Sequence, residues 1–134
     1  MTTTWKTVTH WIATTLFAGV MLLSAAMYLS GAQPIRDGLA HLGYPAYLLI
    51  ILGIAKALGA VALMQTRLPR LREWAYAGFT INLLGATASH LFAGDGMASA
   101  LPAAFIAPLV VSYLLRHERQ PLVAGGSRHQ PLAA

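Results

Sequence analysis

The residues of this sequence that could do chemistry sit inside long apolar stretches. Lys56 interrupts AYLLIILGIAKALGAVALM, and Asn82 and His90 interrupt WAYAGFTINLLGATASHLFA. A lysine among apolar residues can donate hydrogen bonds, exchange a proton, or form a Schiff base. An asparagine offers two donors and an acceptor, and a histidine can donate, accept or bind a metal. A retinal-type Schiff base on Lys56 is set aside for lack of a counter-ion, because Asp37, Glu73, Asp95 and Glu118 all fall at or beyond the ends of the apolar runs. The sequence contains no cysteine, which excludes disulfides, thiolate catalysis, Fe–S clusters and cysteine zinc sites. His41 and His90 come without a neighbouring carboxylate pattern and define no metal site. His10 and His90 belong to opposite ends of their runs, so they cannot share a haem. No catalytic constellation is recognised.

The elements that must position these groups are hydrophobic helices. Hydrophobic residues make up 57% of the 134-residue chain and charged residues 10%, far from a soluble protein, in which about a quarter are charged. Four apolar runs, at residues 8–30, 46–64, 74–93 and 98–115, each approach the roughly 20 residues that cross a bilayer. The first is too long for a signal-peptide core. The last contains Pro102 and Pro108. The expected architecture is all-α: an antiparallel four-helix bundle spanning the membrane, a single domain over residues 1–116. Residues 31–45 suit a short interfacial helix, with Pro34 at its start, Gly43 past its end, and Ile35, Leu39 and Leu42 on one face. The composition of residues 117–134 predicts a disordered cytoplasmic tail.

Charge sets the expected orientation. Lys6, Arg67, Arg70, Arg72, Arg116, Arg119 and Arg128 fall on one side of a four-span arrangement and only Arg36 on the other, which places both termini in the cytoplasm of a multi-pass inner-membrane protein. The net charge of +5 is therefore topology signal; these short basic clusters at run ends lack the solvated basic face of a nucleic-acid binder.

Depth then follows by counting. Lys56 and Asn82 each lie eight residues from the cytoplasmic end of their runs, so both sit near mid-membrane. An ionised lysine there costs at least about 2.5–3.5 kcal/mol. Two readings stay open. In one, Lys56 is a structural clamp onto Asn82 and onto the Ala104 carbonyl, which Pro108 deprives of its helical donor. In the other, Lys56 and Asn82 belong to a ligand or proton site. Nearer the outer face, Ser24, His41, Tyr44, Ser89 and His90 can form a polar pocket, or His90 can simply be capped near the interface.

The stretch HLGYPAYLLIILGIAKALGAVAL, the turn PRLREWAYAGF and the segment LLGATASHLFAGDG resemble the DoxX-like family of small bacterial membrane proteins, over roughly residues 8–116. The resemblance implies a four-helix bundle in a family named for a quinone-linked oxidoreductase subunit, with no agreed catalytic residues to carry over. The expected function is a non-catalytic subunit or accessory factor of a membrane-associated redox assembly, not an enzyme on its own. The alternative is a redox subunit that binds a quinone or small anion at Lys56 and Asn82; a small-solute or proton transporter ranks behind both. Expected partners are the lipid bilayer, a membrane or redox protein, or a second copy of the chain.

Overall fold

The computed structural model describes residues 2–117. Of the expected tail, residue 117 closes the last helix, and residues 118–134, with Arg119 and Arg128, lie outside the described residues. Among those described, all regular structure is helical: α1 (Thr2–Leu29), α2 (Gln33–His41), α3 (Leu48–Met64), α4 (Pro69–Phe92), a 3₁₀ turn (Gly96–Ser99), α5 (Ala100–Ala104) and α6 (Ile106–His117). By length and composition, two stretches suffice to cross a membrane, Thr4–Leu29 and Gly96–Arg116; Leu48–Met64 is a shorter apolar helix.

Local chemistry explains the boundaries. Pro69 opens α4 about one turn before the apolar run begins, because a proline in the first turn sacrifices no helical hydrogen bond. The 31–45 segment folds as its sequence suggests. Pro34 lies in the first turn of α2, and Gly43 follows it with φ +78°, a left-handed conformation that a glycine adopts without steric cost. Ile35, Leu39 and Leu42 turn inward, Leu39 being buried. The last run departs from a simple helix. It begins as a 3₁₀ turn and breaks at Phe105 between α5 and α6. Pro108 has no N–H for the Ala104 carbonyl, and α5 ends at that residue.

Packing closes these helices on one another. α1 lies along α3 and α6, α4 packs on α3, α5 and α6, and α2 rests against α3. The core, including Phe17, Met21, Leu63, Phe79 and Leu109, lies toward the end that carries Lys6 and Arg67–Arg72, the basic end. Phe17 and Phe79 meet edge to face with centroids 5.1 Å apart. Exposure inverts the soluble pattern. Thr14 is 0% exposed, Ser112 1% and His10 2%, whereas Ile81 is 71% exposed, Trp74 78% and Phe92 93%. Such an apolar exterior around polar internal groups suits hydrocarbon and not water.

A buried polar relay pins the basic end. Tyr76 donates to the Ser112 hydroxyl (2.7 Å), Ser112 to Thr14 (2.5 Å), and Thr14 to the His10 carbonyl (2.7 Å). His10 Nδ1 donates to the Ser112 carbonyl (2.8 Å), which leaves Nε2 to accept from Arg72 (3.3 Å). Arg116 pairs with Glu73 and lies 5.2 Å from the ring centroids of both Tyr76 and Tyr113.

Close helix approach is set by glycine at two contacts of α3, Gly53 against α1 and Gly59 against the Phe79 ring of α4. A Cβ on Gly53 of α3 would lie 2.8 Å from the Leu29 side chain and 3.2 Å from Tyr28 Cβ, whereas one on Gly78 would meet nothing. Gly53→Val should therefore lower stability by about 1–3 kcal/mol through overpacking. Gly78→Ala should raise it by about 0.5–1 kcal/mol through reduced backbone entropy. Unfolding in mixed detergent micelles, followed by circular dichroism, measures both.

Candidate ligand-binding site

Lys56 occupies the middle of α3. Its amine donates to Ser24 Oγ at 2.9 Å and lies 4.1 Å from the centroid of the Tyr28 ring. Both partners come from α1, one helical turn apart. The clamp expected onto Asn82 and the Ala104 carbonyl does not form, for a reason of direction. Side chains on a helix lean toward its N-terminus. The start of α3 lies at the far end of the molecule, so the amine is carried away from the basic end and toward Ser24. Gly53, one turn earlier on α3, brings α1 close enough to receive it.

Asn82 faces the same space without a partner: among the described residues its amide makes no hydrogen bond. Lys56 and Asn82 both line a cavity of about 530 Å³ that extends toward the far end. Ser24, Tyr28, Tyr44, Ser89 and His90 also contribute to its wall; the rest is mainly apolar, including Met21, Leu52, Leu83 and Phe105. α2 roofs it with Pro34, Ile35, Gly38 and Leu39. Of the seven residues singled out in the sequence, six therefore meet around one cavity, and His41 does not line it. A second groove of about 410 Å³ runs between α3 and α4 toward Trp74 and also touches Lys56 and Asn82.

The far end is tied together by groups on three segments. His41 Nε2 of α2 donates to Asp95 Oδ1 at 2.6 Å, and His90 Nδ1 of α4 donates to Asp95 Oδ2 at 2.6 Å. Tyr44 donates to Ser89 Oγ (2.7 Å), whose own proton goes to the Gly85 carbonyl (2.8 Å). Gly94 (φ +76°) and Gly96 (φ +56°) flank Asp95 and let the turn reverse tightly enough to aim its carboxylate back at His90. The hydrogen bonds from His41 and then His90 hold the Asp95 carboxyl below its ordinary range.

Asp95 corrects the expectation that the two histidines lack a carboxylate. The pairing is a turn contact and not a helix-spacing pattern, which hides it in the sequence. The signal that could reveal it is a lone Asp between two glycines, five residues after His90. The three groups hydrogen-bond to one another, and no cluster of His, Cys, Asp or Glu suited to holding a metal ion occurs among the described residues. Tyr28 is a further site residue that sequence reasoning missed; it lies one turn from Ser24 on the same face of α1.

An all-helical chain with an apolar exterior, paired polar groups inside and a partly open cavity roofed by α2 is a membrane protein. It belongs to the DoxX-like family, whose profile matches residues 12–112, nearly the whole described length and all of the cavity wall. No curated protein and no solved structure matches the chain.

The clasp on α2 has a defined pH response. A carboxyl whose folded pKa is depressed contributes stability above its unfolded pKa of about 3.9 and loses it as pH falls through the folded value. Backbone amide exchange in α2, compared between the native chain and Asp95→Asn at each pH, should be slower in the native chain at neutral pH. The two should converge below about pH 4.

Proposed function

We propose that this chain is a multi-pass inner-membrane protein, an antiparallel four-helix bundle with both termini in the cytoplasm. In this reading it serves as a non-catalytic, ligand-binding subunit of a membrane redox assembly, and its cavity holds a lipophilic ring bearing oxygen acceptors, of the quinone class. Residues 8–30, 46–64, 74–93 and 98–115 are the four spans. The basic end faces the cytoplasm, and α2 with the Asp95 clasp lies at the outer face. The contacts of Arg72 with His10 and of Glu73 with Arg116 support this arrangement, because they gather the basic segments at one end.

The observation that carries the ligand is Asn82. An unsatisfied amide within hydrocarbon costs several kcal/mol, so helices that carry one normally supply its partner. Here the amide opens instead on a cavity whose wall also holds the Lys56 amine, with donor capacity beyond its bond to Ser24. Two donors on the wall of one largely apolar cavity match oxygen acceptors on a hydrophobic ring. A cavity of about 530 Å³ lies within the usual range of organic-ligand sites. Partner proteins would dock on the outer turn or on the basic turn around Arg67.

Two measurements test this. With no native cysteine, single-cysteine variants report sidedness: Arg67→Cys should react with a membrane-impermeant maleimide only from the cytoplasmic side, and Asp37→Cys only from the outside. The opposite or a mixed pattern rejects the topology. For the ligand, binding of a short-tailed benzoquinone to the full chain in nanodiscs should weaken roughly tenfold in Lys56→Met and in Asn82→Leu. Asn82→Leu should fold as stably as the native chain, since it removes an unpaired amide. Undiminished binding in that variant would sink the site.

A further inference from the structure

His90 is the one cavity residue whose hydrogen-bonding sense is fixed from outside the cavity. Its Nδ1 lies 2.6 Å from Asp95 Oδ2, and the Asp95 carboxyl is held ionised by its two histidine donors. A carboxylate can only accept, so Nδ1 carries the proton. In neutral imidazole the other nitrogen, Nε2, is then an acceptor with a free lone pair. Nε2 has no partner among the described residues, and His90 lines the cavity. The other polar groups around this chamber have different senses. The Lys56 amine donates to Ser24, the Asn82 amide can donate or accept, and the Ser89 hydroxyl spends its proton on Gly85 while accepting from Tyr44. The cavity thus carries donors at its depth and a dedicated acceptor toward the end closed by α2.

We propose that His90 Nε2 is a specificity-determining hydrogen-bond acceptor, and that the cavity prefers its ligand in the hydroxyl-bearing, reduced form, a hydroquinone over the corresponding quinone. This rests on the quinone-class reading above and sharpens it. A hydroquinone hydroxyl donates to Nε2, while its ring oxygens can still accept from Lys56 and Asn82. A quinone has no proton to offer, and its carbonyl lone pairs would face the imidazole lone pair. Asp95 acts through His90 as a positioning residue. It fixes the tautomer, and His41, bonded to the other carboxylate oxygen at 2.6 Å, keeps the carboxylate aimed. No electron or proton transfer is implied; the selectivity is one of binding.

The test measures equilibrium binding of duroquinol and duroquinone, anaerobically, to the full chain in nanodiscs at neutral pH. The native chain should bind the quinol roughly tenfold more tightly than the quinone, the worth of one well-formed hydrogen bond against an unpaired one. Asp95→Asn releases the tautomer, because an amide can donate to Nδ1 and push the proton to Nε2. It should abolish or reverse the preference, whereas Asp95→Glu should restore it. Nitrogen-15 NMR of the histidines reads the cause without any ligand: His90 should be protonated at Nδ1 in the native chain and shift toward Nε2 in Asp95→Asn. Equal binding of the two forms, or an Nε2-protonated His90 in the native chain, overturns the inference while leaving the quinone-class site standing. Binding of neither form overturns both.

Discussion

A lysine amine in the middle of an apolar helix must find partners within reach of its own side chain, and much of this architecture is organised around that requirement. Hydrocarbon offers no water to complete a hydration shell. Lys56 is therefore met by a hydroxyl and an aromatic face, both presented by α1. That presentation depends on close approach between α1 and α3, which the missing Cβ of Gly53 permits. Tyr28 serves twice here, packing over Gly53 and stacking beneath the amine. Once α1 is committed to α3 on one side and to α6 on the other, α4 closes the remaining gap, and the cavity is the space left where the amine is not fully enclosed.

The two ends of the molecule solve the polar problem differently. At the basic end, His10, Thr14, Tyr76 and Ser112 saturate one another in a chain with a single consistent donor order, and the aromatic core lies beside them. That end is dense and holds the helices in register. At the other end the polar groups are tied in smaller pairs at the rim, while the wall keeps unspent hydrogen-bonding capacity on Asn82, Lys56 and His90. Packed core and open cavity are thus segregated along the long axis, and the break at Phe105 falls in the stretch that borders both halves.

Much of this arrangement is legible in the amino-acid sequence. Apolar runs and the positions of Pro34 and Gly43 locate the helices, including the short α2, because those signals are local. Counting residues puts Lys56 and Asn82 at one level, and the structure does set both on a single cavity. What counting misses is direction. It treats Lys56 as a point at its Cα, whereas the side chain leans toward the helix start and so meets Ser24 and Tyr28 instead of Ala104. Asp95 and the His10–Ser112 relay are hidden for a different reason. They join residues 54 and 102 positions apart, and no pattern within one helix encodes such a contact.

The position of Lys56 also carries an electrical consequence. In the four-span arrangement proposed above, its amine would lie partway across the low-dielectric layer over which a cell's membrane potential falls. A full elementary charge moved across that layer exchanges about 2.3 kcal/mol per 100 mV with the field. A proton travelling between the amine and either aqueous face crosses a fraction of that drop, and with no carboxylate beside it, no compensating charge moves in the opposite sense. In that arrangement a lone lysine held this way would make the cavity responsive to the energised state of its membrane.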